Sequence, residues 1–217
     1  MKKFLFLCAA IAVTTTVFSQ VRYGFKAGAN FANQKLSVSF MGQSVDQNGD
    51  GIVSFHAGGV AEIPIAPNFA FRPELLLSGK GCNMTVEDQN TGDETKGEFR
   101  AFYLEVPLNM VYTHEFPTGL RFYGGAGPSI AYGLFGKVKG GGESDDFFQD
   151  SAFKRFDFGI NILAGVELAS GITLGVNFTP GLANILDGSG GFDDYDVKWK
   201  NSYFGVSVGY MLGRKQQ

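Results

Sequence analysis

Residues 52–63 read IVSFHAGGVAEI, and the two phases of this run carry different chemistry. One phase holds Val53, Phe55, Ala57, Gly59, Ala61 and Ile63; the other holds Ser54, His56, Gly58 and Glu62. A period of two is the signature of a strand with unlike surroundings on its two faces. The helical spacing of i, i+3 and i+4 is absent.

The same alternation recurs along the chain. Residues 22–33 set Tyr23, Phe25, Ala27, Ala29 and Phe31 against Arg22, Lys26 and Asn30. Residues 69–80 set Phe69, Phe71, Leu75 and Leu77 against Arg72, Glu74, Ser78 and Lys80. Further runs follow at 102–112, 120–134, 155–168, 172–178 and 203–212, which makes eight expected strands. Short connections fall at 65–68, 113–119 and 169–171, and long polar ones at about 34–51, 84–98, 137–154 and 185–199.

The apolar phase is rich in Phe, Leu, Ile and Val. The other phase collects Arg22, Lys26, Glu62, Arg72, Glu74, Lys80, Glu105, Arg121, Arg155, Asp157 and Glu167, padded with Gly and Ser. A soluble barrel turns its apolar set inward and its charges to water. A membrane barrel does the reverse, since an Arg or Lys on the lipid face costs about 2–4 kcal/mol near the midplane. Near-balanced charges inside a narrow lumen pair with one another and so avoid an unpaired desolvation penalty. The expectation is an all-β, eight-stranded, antiparallel up-and-down transmembrane barrel with short periplasmic turns and long outer loops. Aromatic residues near strand ends (Tyr23, Phe69, Phe71, Tyr112, Phe122, Phe156, Phe178 and Tyr210) suit two interfacial girdles.

The opening MKKFLFLCAAIAVTTTVFSQ has a basic start, an apolar stretch and a small-residue cleavage site. It reads as a cleaved secretory signal over 1–20, followed by a barrel domain over 21–213 and a short periplasmic tail over 214–217. Cys8 leaves with the signal, so Cys82 is the remaining cysteine and no internal disulfide forms. Removing Lys2 and Lys3 takes the net charge from −3 to −5, which leaves no basic footprint for nucleic acid. The 31 Gly and 22 Phe of the 217 residues fit neither a disordered chain nor a helical bundle.

Several segments, GFKAGANFAN, FHAGGVAEIP, YLEVPLNMVY, FYGGAGPSIAYGLFGK, DFGINILAGVEL and the closing FGVSVGYML, occur in an order that resembles the PorT-like family of Gram-negative outer-membrane β-barrel proteins. The resemblance spans nearly the whole mature chain and implies a small eight-stranded barrel in the outer membrane. The ending resembles a terminal signal read by the barrel-assembly machinery, with Tyr210 and Leu212 on the lipid phase, but it closes on Leu and adds GRKQQ.

Three kinds of chemistry compete. Small barrels that modify lipids use a His with a Ser and an acid, and here His56, Ser54 and Glu74 share the lumen phase. Side chains two apart on one strand stand about 6.5–7 Å apart, too far for a direct bond between base and nucleophile. His114 beside Glu115 sits in a short turn and is expected to be solvated. No catalytic residue and no cofactor are therefore expected. A channel is the second reading, and eight strands leave a lumen that side chains fill. A binding or scaffold role through the outer loops is the third and fits best. The expected partners are outer-membrane lipid and lipopolysaccharide, the assembly machinery during insertion, and a protein at the outer loops, with the barrel itself monomeric. The loop aromatics Phe147, Phe148, Phe192 and Tyr195 either anchor a partner or pack on the rim.

DQNGDG at 46–51 matches the front of a calcium loop through Asp46, Asn48 and Asp50. Position 12 is Ala57 rather than a bidentate acid, so these residues are a weak candidate cation site at most. The alternative is that Asn-Gly and Asp-Gly form the turn at a loop tip.

Overall fold

The computed structural model describes residues 21–40, 43–87, 94–140, 143–146, 148, 153–186 and 195–213. The expected signal at 1–20 and tail at 214–217 lie outside the described residues, as do Phe147 and Phe192.

Ten strand segments follow in chain order: β1 (Arg22–Phe40), β2 (Gln43–Asn48), β3 (Asp50–Ala66), β4 (Phe69–Glu87), β5 (Glu94–Glu115), β6 (Arg121–Gly140), β7 (Glu143–Asp146), β8 (Phe156–Glu167), β9 (Ile172–Pro180) and β10 (Tyr195–Met211). Eight of them form a ring in the order β10-β9-β8-β6-β5-β4-β3-β1, and β1 pairs again with β10 to close it. Every pairing is antiparallel, from Gly24 opposite Met211 through to Phe40 opposite Tyr195 at the seam. Closure removes the open edges a sheet would otherwise present. The backbone bond from Leu212 N–H to Tyr23 O (2.6 Å) ties the start of β1 to the end of β10 at the end bearing the short turns.

Those turns are tight for stated reasons. Asn68 takes φ 65° after Pro67, and Gly119 and Gly171 take positive φ in the other two.

The phases separate as the alternation requires. Tyr23, Phe25, Phe55, Leu75, Met110, Phe122, Ile162, Leu174, Phe204 and Val208 are exposed on the outer face. Glu62, Arg72, Glu74, Lys80, Glu105, Asp157 and Glu167 are buried inside. On β5 the apolar outer run extends from Phe102 to Tyr112. Ten residue steps cover about 33 Å of strand, and the usual tilt reduces this to the ~25 Å height of a lipid-facing band. Aromatic contacts mark both margins. Phe25–Tyr210 (6.1 Å between ring centroids), Phe69–Tyr112 (5.3 Å) and Phe116–Phe122 (5.5 Å) lie at the turn end. Phe55–Phe102 (5.2 Å), Phe102–Phe135 (5.1 Å) and Tyr132–Phe156 (5.0 Å) lie at the other.

The far end differs from the sequence expectation. Much of the segments 34–51, 84–98 and 137–154 is not loop: β1 runs to Phe40, β4 to Glu87, and β5 starts at Glu94. These extensions pair in register beyond the band, for example Val86 with Thr95 and Lys139 with Ser144. Polar residues on both faces give no period-two signal, so backbone pairing alone carries the ladder there. DQNGDG belongs to this extension. Asp46 and Asn48 lie opposite Ser37 and Lys35, and β3 resumes at Asp50. Among the described residues positive φ falls at Asn68, Gly81, Gly119, Gly171 and Gly213, so the Asn-Gly and Asp-Gly steps continue a strand rather than turn.

Candidate functional site: a layered lumen

The lumen is filled by side chains in four layers. At the turn end, Glu62 of β3 is held by three arginines: Arg121 Nη2 donates to Glu62 Oε1 at 2.8 Å, Arg22 Nη1 lies at 3.4 Å, and Arg72 Nη1 at 3.7 Å from Oε2. Glu167 of β8 accepts from Arg121 Nη1 (3.0 Å) and from both terminal nitrogens of Arg22. Glu74 pairs with Lys26 and lies 3.6 Å from Arg72 Nε, while the Arg72 guanidinium stacks 4.3 Å over Tyr123.

Amides dominate the second layer. Asn161 Nδ2 donates to Asn109 Oδ1 (2.9 Å), and Thr179 Oγ1 donates to Asn161 Oδ1 (2.8 Å). Asn30 Nδ2 donates to Ser78 Oγ (3.1 Å), and its Oδ1 lies 2.7 Å from His56 Nδ1. An amide oxygen only accepts, so Nδ1 of His56 carries the proton and Nε2 is the bare nitrogen.

The third layer is a single chain of hydrogen bonds. Cys82 Sγ donates to Gln34 Oε1 (3.1 Å), Gln34 Nε2 to Asn201 Oδ1 (2.7 Å), and Asn201 Nδ2 to Asp157 Oδ2 (3.0 Å). Lys80 Nζ meets the same Asp157 oxygen at 3.1 Å and Glu105 Oε1 at 3.5 Å. Ser129 Oγ (2.7 Å) and Tyr203 Oη (3.1 Å) also donate to Glu105, and the rings of Tyr103 and Tyr203 flank the Lys80 ammonium. Above lies an apolar cap in which Cys82, Ile185 and Trp199 pack with Leu36, Phe99, Phe153 and Leu186. Phe99 and Phe153 both meet Trp199 edge-on.

Ten of the eleven charges assigned to the lumen from sequence enter these contacts. Arg155 does not. Its Nη1 donates to the carbonyls of Gly133 (3.2 Å) and Leu134 (3.3 Å), and its guanidinium lies 5.0 Å from the Phe148 ring. The reason is height: Arg155 precedes β8, above the Asp157 layer. Its departure leaves five cations (Arg22, Lys26, Arg72, Lys80, Arg121) against five carboxylates (Glu62, Glu74, Glu105, Asp157, Glu167), a balanced interior.

Ser54 and His56 diverge within the lumen. A Cβ placed at Gly79 of β4 would meet Ser54 Oγ, and one placed at Gly28 of β1 would meet the His56 ring. The two side chains thus lean toward opposite neighbouring strands. His114, expected in a turn, is instead the penultimate residue of β5, opposite Phe122, with its ring 4.7 Å from Phe116. For the cation candidate, Asp46 and Asn48 lie on an extended strand instead of wrapping round a centre, and their side chains lie outside the described residues. Among the described residues no group of three or more His, Cys, Asp or Glu gathers for a metal. Phe148, one of the loop aromatics, is buried against Tyr103 at 5.9 Å. Tyr195 opens β10. The apolar cap built on Trp199, Ile185 and Phe153 was not foreseen, because its members come from segments whose polar neighbours mask them.

A closed antiparallel ring of eight strands, apolar outside and charged within, defines a small transmembrane β-barrel. A model of the outer membrane protein beta-barrel domain matches residues 15–187, so the chain belongs to that family, whose place is the outer membrane. No curated protein matches the chain. Similar solved structures include Neisserial surface protein A, at 15% identity over 86% of this chain and 96% of that one with a TM-score of 0.43. OprG of Pseudomonas aeruginosa matches at 13% identity over 88% and 96%, TM-score 0.44. Ail, the attachment invasion locus protein of Yersinia pestis, matches at 12% identity over 86% and 98%, TM-score 0.36.

Proposed function

We propose that the protein is a non-enzymatic, monomeric barrel whose lumen is a structural plug and whose working surface is the wall and rim of its outer end. The observation that carries this reading is the balanced set of ten lumen charges, seven buried and three (Arg22, Lys26 and Arg121) half-buried, each within an ion pair that spans or lines the lumen. A conducting or catalytic interior keeps polar groups free for a passing ion or a substrate, whereas these are committed to one another. The resemblance to PorT-like proteins supports an accessory role in envelope or secretion assembly, with binding through the outer end as its means. The lipid-modifying reading has a direct test. Purified barrel is incubated with phospholipid and lipopolysaccharide, and products are read by mass spectrometry for the parent and for His56→Ala. The expected outcome is no turnover by either; turnover lost in His56→Ala would overturn the proposal.

A further inference from the structure

A β-bulge re-aims one aromatic and one cationic side chain to the margin of the lipid-facing band. Between β5 and β6 the register passes from Phe102 opposite Phe135 to Tyr103 opposite Gly133, leaving Leu134 as the extra residue. Below the bulge the even residues of β6 face outward; above it the odd ones do, so Phe135 and Lys137 are exposed while Gly136 is buried. Bulges of this kind redirect side chains. Arg155 binds the carbonyls of Gly133 and of the extra residue Leu134 and so fixes the switch.

The result is a groove of about 210 Å³ lined by Glu98, Arg100, Phe102, Phe135, Gly136 and Lys137. That volume suits one headgroup rather than a drug-sized ligand. Its floor is Phe102 and Phe135, which continue the aromatic row from Phe55 at the upper margin of the band. Arg100 and Lys137 are direct cross-strand partners one outward step above that floor. Like charges placed directly opposite destabilise a strand pair unless an anion joins them. Glu98 reaches Arg100 at 2.9 Å, but both side chains are substantially exposed, so this contact is weak. The acidic neighbours by position are Glu98 and, as the backbone partner of Lys137 across β6–β7, Asp146.

We propose that this groove binds the phosphorylated headgroup of an outer-leaflet glycolipid of the lipid A class. Arg100 and Lys137 clamp a phosphate, and an acyl chain lies along Phe102 and Phe135. Arg suits bidentate phosphate recognition, and aromatic rings belong at the headgroup level. Position selects the source: the groove opens sideways where the apolar band ends, at the end opposite the short turns. The inference rests on the orientation assumed above, with short turns in the periplasm. It fails separately from that orientation, because surface protease mapping tests the topology without lipid.

The test uses full-length protein purified from membranes, titrated with bisphosphorylated lipid A, its dephosphorylated counterpart or phosphatidylglycerol, with retained lipid read by native mass spectrometry. The parent is expected to retain bisphosphorylated lipid A at least about tenfold more strongly than its dephosphorylated counterpart, the scale of one lost charge-assisted contact, and also more strongly than phosphatidylglycerol, whose phosphodiester carries a single charge. Arg100→Ala with Lys137→Ala is expected to lose that preference while keeping the heat-modifiable gel migration of a closed barrel. Equal retention of the three lipids by the parent overturns the proposal without any variant. An undiminished preference in the folded double variant also overturns it.

Discussion

Lys80 Nζ lies 3.1 Å from Oδ2 of Asp157, on strands β4 and β8, which are not neighbours in the ring, so the contact crosses the lumen. Glu105 stands 3.5 Å away on the same ammonium, and all three residues are buried. Two carboxylates thus depend on one cation. Breaking a buried pair by removing one partner costs about 3–5 kcal/mol, because the other charge stays buried. Lys80→Met is expected to destabilise the barrel by that amount in urea unfolding from lipid vesicles. Adding Asp157→Asn to Lys80→Met should recover part of the loss, and simple additivity of the two changes would show that they are not coupled.

The tip of Tyr123 lies against Gly165 and Gly175. A Cβ at Gly165 would press on Tyr123 Oη and on the carbonyl of Leu174. Gly165→Ala should therefore cost about 1–3 kcal/mol through overpacking. Tyr123→Phe should relieve only the Oη part of that cost, since the ring Cζ and the Leu174 carbonyl stay. Unfolding midpoints of the two single variants and the double variant separate these contributions.

Arg155, just before β8, fixes the bulge through the carbonyls of Gly133 and Leu134, and Gly133 N–H donates back to Arg155 O at 2.7 Å. Arg155→Ala removes the guanidinium and keeps the backbone bond. The expected result is faster hydrogen exchange around Gly133–Lys137 with little change at Ile162 or Leu174. Uniform acceleration round the ring would instead mean that Arg155 acts on global stability. Loss of lipid A preference in this variant, with Arg100 and Lys137 intact, would mark Arg155 as a positioning residue for the groove.

These elements differ in how legible they are from sequence. The ring could be read because lipid outside and a packed polar interior force a period of two, as in Val53 through Ile63. The charges could be read for the same reason. The bulge could not, since Leu134 and Phe135 are adjacent apolar residues that satisfy either phase; two large apolar neighbours at a strand's upper end were its only signal. The strand extensions were hidden because they leave the lipid, and with it the alternation. For that reason DQNGDG looked like a turn, and Arg155 looked like one more lumen charge.

Cys82 donates its thiol hydrogen to Gln34 and has 0% exposure. A buried, hydrogen-bonded thiol is a poor nucleophile. Peptide mapping after maleimide treatment is expected to find Cys82 unmodified in the folded barrel and fully modified after denaturation in urea. Rapid modification of the folded protein would place the third layer within reach of solvent from the outer end.

The central claim is that ten paired charges close the lumen, and single-channel recording in planar bilayers tests it most directly. No sustained conductance steps are expected from the parent protein across the usual voltage range. Stable, reproducible steps from folded, heat-modifiable protein would show an open path through the paired layers and contradict that claim.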